Sequence, residues 1–194
     1  MIYNIFVENI SYLKRLFGHL STIMHHKRLV RSMCFKCGMY KQGILHDLSK
    51  YSIQEFWPSV KYFQGNRSPI TYEKEIKGYS NCWLHHKGRN KHHWEYWIDR
   101  KQFEIINVQM PMNYMLESVL DKIAASKTYQ KENYVDSYPY EFFTNSYEIK
   151  VMNKETARQI ESLLKYLKEN GETKTLIYIK DLYRTWKKDN NFTI

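Results

Sequence analysis

His46 and Asp47 stand side by side in the string GILHDLSKY, with His26 upstream and His85, His86, His92, His93 and Asp121 downstream. Neutral imidazoles and carboxylates together suit a borderline or hard divalent cation, and the order His, His-Asp, further His and a late Asp can assemble a dinuclear centre. Metal chemistry is therefore the first expectation. Ligands of this kind accommodate Mn, Fe, Co, Ni, Zn or Mg, so donor types alone do not select the ion.

These residues need rigid elements to position them, and the apolar pattern supplies helices. From Ile10 onward, Leu13, Leu16, Phe17, Leu20, Ile23 and Met24 recur at three and four, and Ile23, His26, Val30, Met33 and Cys37 extend the stripe. His26 thus falls on the inward seam, while adjacent His25 is turned about 100° away, which makes His26 the better ligand. His19 and His25 read as ordinary structural histidines. Gly43 precedes a second helix whose apolar residues Ile44, Leu45 and Leu48 are expected to hold His46 and Asp47 in the core. Ser52 predicts an N-cap with Glu55 closing a capping box, and Pro58 should interrupt or bend that helix. The segment GNRSP predicts a loop, and HHKGRNKHH a loop between two short helical ends.

Helical spacing resumes at Trp94, Trp97 and Ile98. Residues 114–129 predict a long helix with Glu117 and Asp121 four apart on one face. Residues 136–143 read as a tyrosine-rich connector, followed by helices at about 154–169 and 174–188 on either side of Gly171. No alternating strand stands out, so the expected class is all-α. The expected organisation is one domain over residues 1–194, the helices from about 153 packing on its core.

The 194-residue chain has 30 Lys and Arg against 20 Asp and Glu, a net charge of +10. The basic residues are spread in ones and twos from Lys14 to Lys188, not blocked, and without a nucleic-acid-binding motif, so the charge reads as attraction for a small anionic ligand rather than for nucleic acid. No run is long and apolar enough for a membrane helix, and three cysteines do not make a disulfide framework; a cytoplasmic protein is expected. Cys34 and Cys37 form a CxxC, but with Cys82 as the one remaining thiol they read as core residues rather than as zinc ligands.

His26, the run HDLSK, the paired histidines and Asp121 in ESVLDKIAAS resemble the HD-domain superfamily of metal-dependent phosphohydrolases. More narrowly, LHDLSKY, WLHHKGRNKHHWEYWID and DKIAASKTY are similar to an uncharacterised family of small bacterial and phage proteins with an HD-like core, from about Tyr12 to past Tyr183. The resemblance implies an HD-domain-like helical bundle in which His26, His46, Asp47 and Asp121 hold one metal and Asp47 bridges to a second. The second takes ligands from His85 or His86 and from His92 or His93, with His86 and His93 the first choice.

Two divalent ions sharing a water can lower its pKa, present hydroxide to phosphorus and offset charge on the leaving oxygen. Lys50 then stands as a phosphate-binding and catalytic residue beside Asp47, and Lys87, Arg89 and Lys91 as substrate contacts at the loop mouth. Tyr51, Tyr79, Trp83 and Tyr129 offer aromatic faces near the motif, and Glu55 and Glu117 could support ligands. The expected activity is hydrolysis of a small phosphorylated metabolite, a nucleotide or cyclic nucleotide foremost. Two alternatives stand beside it, an HD-fold di-iron oxygenase and a non-catalytic protein that sequesters a nucleotide or nucleic acid.

Overall fold

The computed structural model describes residues 11–190. The reading of the N-terminal ten residues, including Ile10 at the head of the helical stripe, falls outside them. The long first helix, α1 (Tyr12–Lys36), begins where the Ser11 hydroxyl accepts from the Lys14 amide. It buries His19, Ile23, His26, Val30 and Met33, the three-and-four spacing that the sequence displays. A tight connection leads into α2 (Tyr40–Leu45), which lies against α1 with the buried Gly43 beside Cys34. A 3-10 turn (Leu48–Tyr51) precedes α3 (Ile53–Tyr62), α4 (Pro69–Lys77) and α5 (Asn81–Lys87).

The central helix α6 (Met112–Gln130) is buried on much of its circumference, with Leu116, Val119, Leu120 and Ile123 all fully enclosed. After the short helices α7 (Tyr138–Asn145) and α8 (Glu148–Val151), α9 (Lys154–Asn190) packs Ile160, Leu164, Leu167 and Ile179 onto α6 and α1. One apolar cluster joins these three long helices. The protein is an all-α bundle, as expected, and α9 contributes Ile160, Leu164, Leu167 and Ile179 to its core. Cys34 and Cys37 belong to that core and Cys82 is also buried; all three are free thiols. Among the described residues, no helix is long and apolar enough to cross a membrane.

The expected break at Gly171 is present inside α9, where φ 79° and ψ 166° lie in a region essentially reserved for glycine. Three other expectations are corrected. Pro58 does not interrupt α3, which continues to Tyr62 because Ser59, Val60 and Tyr62 bury that turn despite the missing amide hydrogen. Residues 138–145 form α7 rather than a connector, since Pro139 occupies the first turn, where a proline costs no helical hydrogen bond. Helical spacing at Trp94 and Trp97 lasts only for a 3-10 turn (Trp94–Trp97), after which β1 (Ile98–Lys101) and β2 (Glu104–Asn107) make an antiparallel hairpin pairing Ile98 with Asn107 and Lys101 with Glu104.

A candidate dinuclear metal centre

The His46-Asp47 pair does not sit within a helix. The second helix stops at Leu45, His46 is extended (φ −49°, ψ 125°), and Asp47 adopts the left-handed conformation (φ 53°, ψ 27°) before the 3-10 turn begins. Ile44, Leu45 and Leu48 are exposed, whereas His46 and Asp47 are 2% and 1% exposed. The sharp turn inverts the expected pattern: it drives the polar pair inward and turns its apolar neighbours out. Aspartate is one of the few residues that tolerates this backbone.

His26 on α1 and Asp121 on α6 meet His46 at this point. His26 Nε2 is 2.9 Å from Asp121 Oδ1, and His46 Nε2 is 3.3 Å from the same oxygen. Asp47 Oδ2 lies 3.8 Å from His26 Nε2 and 3.4 Å from His46 Nε2. The second carboxylate oxygen, Oδ1, points the other way, 3.3 Å from His86 Nε2 on α5 and 3.4 Å from His92 Nε2 in the following loop. Two candidate ion positions result: His26, His46, Asp47 and Asp121, and Asp47, His86, His92 and His93, the donor atoms of each lying within 4.8 Å of one another.

Outer carboxylates orient these imidazoles. Glu117 Oε1 lies 2.9 Å from His46 Nδ1 and 3.2 Å from His92 Nδ1, and Glu55 Oε2 lies 2.7 Å from His86 Nδ1. A proton held at each Nδ1 leaves the corresponding Nε2 lone pair facing the centre, the arrangement that carboxylate–histidine pairs give to metal sites. Ser49, Asn90 and His86 form a tight polar knot, with the Asn90 amide donating to Ser49 Oγ at 2.8 Å and to the His86 carbonyl at 2.8 Å. Glu117, His46 and His92 also form a three-donor group, but both Nδ1 atoms there are committed to one carboxylate oxygen, so this group reads as support for the two positions.

The donor set fits divalent ions by its chemistry and by what it leaves unsatisfied. Buried Asp47 Oδ1, His92 Nε2 and His93 Nε2 have no hydrogen-bond partner. Unpaired buried polar atoms are costly, and three converging on one point are satisfied together by a cation. Burial penalises ionisation of Asp47, yet His46, Lys50 and His86 hold its carboxyl well below the usual range. Burial likewise opposes charge on His46, but Asp47, Asp121 and Glu117 outweigh it and push the imidazole up to about 10. Without metal, a proton on His46 thus does part of a cation's work.

The remaining sequence candidates divide by face. Lys50 Nζ is 2.6 Å from Asp47 Oδ2 and lines a front cavity of about 330 Å³ that also reaches His26, His86, His93 and Asp121. Trp83 and Tyr129 line the same cavity. His85 lies outside all three donor groups, its Nδ1 held 2.6 Å from Glu55 Oε1. Glu55 therefore serves two histidines, and Ser52 caps α3 without a side-chain hydrogen bond, so the expected capping box is absent. Arg89 and Lys91 line a separate hollow behind His46, His92 and Glu117, together with Lys41. Lys87 ends α5 half-buried and lines neither cavity. Tyr51 and Tyr79 are exposed. His19 is buried against Phe56 and Phe63, with burial and then Lys50 lowering its pKa to about 4, and His25 is exposed. Sequence reasoning passed over Ser49 and Asn90; the one available signal was their position inside the two motif strings.

The chain matches a family of unknown function, DUF5662, over residues 15–166, a span that contains every donor of both ion positions, and it belongs to that family. No curated protein and no solved structure matches it.

Proposed function

We propose that this member of a family of unknown function is a metal-dependent phosphohydrolase acting on a small phosphorylated metabolite, with nucleotides the expected class. The observation that carries the reading is the division of Asp47, one oxygen toward each of two His-carboxylate groups that share it. The donor order His26, His46-Asp47, the later histidines and Asp121 also follows the pattern of the HD-domain phosphohydrolases that the chain resembles. Two divalent ions held there would supply hydroxide at neutral pH and offset charge on a phosphoryl group.

The protein's own part can be assigned residue by residue. His26, His46, Asp47 and Asp121 would hold one ion, and Asp47 with His86, His92 and His93 the other. Glu117 and Glu55 keep protons on the outward ring nitrogens, so that the inward ones remain free to ligate. Lys50 presents its ammonium in the front cavity, beside Asp47, where it can donate a hydrogen bond to a phosphate oxygen. Burial and its neighbours act oppositely on that group, and Asp47 and Asp121 win, so it stays charged.

Metal content and phosphate-ester turnover of wild-type protein and Asp47→Asn test the reading. Asparagine keeps the shape and tolerates the left-handed turn, whereas alanine would add backbone strain. The wild-type protein should hold about two equivalents of metal, and the variant should lose both metal and turnover. Turnover that persists in a metal-free variant refutes the mechanism. Iron accompanied by oxygen uptake would redirect the assignment to di-iron oxygen chemistry, and tight nucleotide binding without turnover to a sequestering protein.

A further inference from the structure

The front cavity runs inward to Lys50 and Asp121 and outward, past Trp83, Tyr129 and Phe142, into a wider chamber of about 590 Å³ lined by the same three aromatic residues. Ile23, Ile70 and Ala125 add apolar surface to the inner cavity, beside the neutral polar groups of Thr22, Ser59, Ser68 and Thr128. Phe142 lies on α7 between the two volumes and is 63% exposed, although nothing in the core requires it there. Aromatic faces arranged around a cleft are suited to a flat ring.

Each lysine and arginine of the cavity and the chamber has an acidic partner, and Lys50 alone of them stands beside the metal centre. Lysine and arginine contribute three lining residues. Lys50 pairs with Asp47 at 2.6 Å, and Lys122 with Glu148 at 2.6 Å. Arg67 reaches Glu75 at 2.8 Å and Gln64 at 2.7 Å, with its guanidinium over the Tyr72 ring. The cations less engaged with acids, Lys41, Arg89 and Lys91, line the rear hollow, which shares no lining residue with the front. A second or third phosphate in the front chamber would therefore meet neutral hydroxyls and amides, such as Ser68, Thr71 and Gln130, and cations already paired with acids, so its added charge would be poorly compensated.

We infer that the ligand of the front chamber is a monoester with a single phosphate group, which would face the metal centre, joined to a flat, uncharged ring that lies among Trp83, Tyr129 and Phe142. The inference rests on the function proposed above for the phosphate end, and on the chamber walls for the rest of the molecule.

Calorimetry on manganese-saturated protein tests it with three probes: naphthylmethylphosphonate, which hydrolysis cannot consume, inorganic phosphate, and ATP as its manganese complex. The arylphosphonate should bind at least about tenfold more tightly than phosphate, and ATP no more tightly than phosphate. Phe142→Ala should erase the arylphosphonate's advantage while leaving phosphate affinity unchanged, and Phe142→Tyr should restore it; the exposed position spares the fold. ATP binding more tightly than the arylphosphonate, or an advantage that survives Phe142→Ala, overturns the inference. Arylphosphonate preference without turnover of any ester would keep the chamber assignment and refute the hydrolase; turnover without that preference would do the reverse.

Discussion

Glu117 holds two imidazoles through one carboxylate oxygen, and it does so from α6, one turn before Asp121. Burial works against its charge, but His46 and His92 keep its pKa below the ordinary range. Replacing it with Gln preserves size while weakening the hold on both Nδ1 protons. The expected result is a metal affinity about 10- to 100-fold weaker in competition with a chelating dye. An affinity equal to wild type would remove Glu117 from the site. Residue chemistry was the most legible part of the sequence: helical period alone separated His26 from His25 and put Glu117 and Asp121 on one face. The choice between His85 and His86 was not legible, because it depends on α5, and the loop brings both His92 and His93 to the second group where one of them was expected. His86 faces Asp47 from that helix, whereas His85, the preceding residue, is rotated onto Glu55 at the cluster's edge.

Helices reach the site through close approaches that a side chain would block. A methyl group at Gly43 would lie 2.9 Å from Cys34 Cβ and 3.1 Å from the Phe35 ring, pushing α2 away from α1. Gly43→Ala should destabilise the protein by about 1 to 3 kcal/mol, read from the midpoint of urea unfolding. Because His46 follows α2 directly, metal affinity should fall as well; an unchanged midpoint would show that the two helices can separate without cost. The long helices were readable because their buried faces repeat at three and four. The turn at His46-Asp47 was not, since a left-handed aspartate leaves no mark in a hydrophobic pattern and Ile44, Leu45 and Leu48 imitate a buried helix. The hairpin escaped for a related reason: the side chains of Ile98–Lys101 are all exposed, which removes the alternation that reveals a half-buried strand.

Across the whole molecule, four acidic residues, Glu55, Glu117 and Asp47 buried and Asp121 half-buried, surround one compact region in which Lys50 is the nearest ammonium. Metal-free protein must balance these charges with protons, and its stability should follow pH accordingly. The raised His46 contributes fully below the ordinary histidine pKa of about 6.5, and that contribution is lost as pH rises from there to about 10. The lowered Asp47 and Asp121 contribute above about pH 4 and lose that contribution as pH falls further. His26 and His93, lowered first by burial, contribute above about pH 6.5 and lose it below. Thermal midpoints of chelator-treated protein should therefore decline from about pH 7 toward 10, while metal-loaded protein stays level, since bound ions replace the proton on His46. A level profile for both forms would contradict this charge balance. The two ion positions are also unequal neighbours. One has two imidazoles and two carboxylates, the other three imidazoles and the shared Asp47. On donor chemistry alone, the nitrogen-rich position would favour zinc, nickel or copper, and the oxygen-rich one would tolerate manganese or iron. With both positions filled, such a centre would sort ions, and two metals offered at once would be expected to enter it as a mixed pair rather than a matched one.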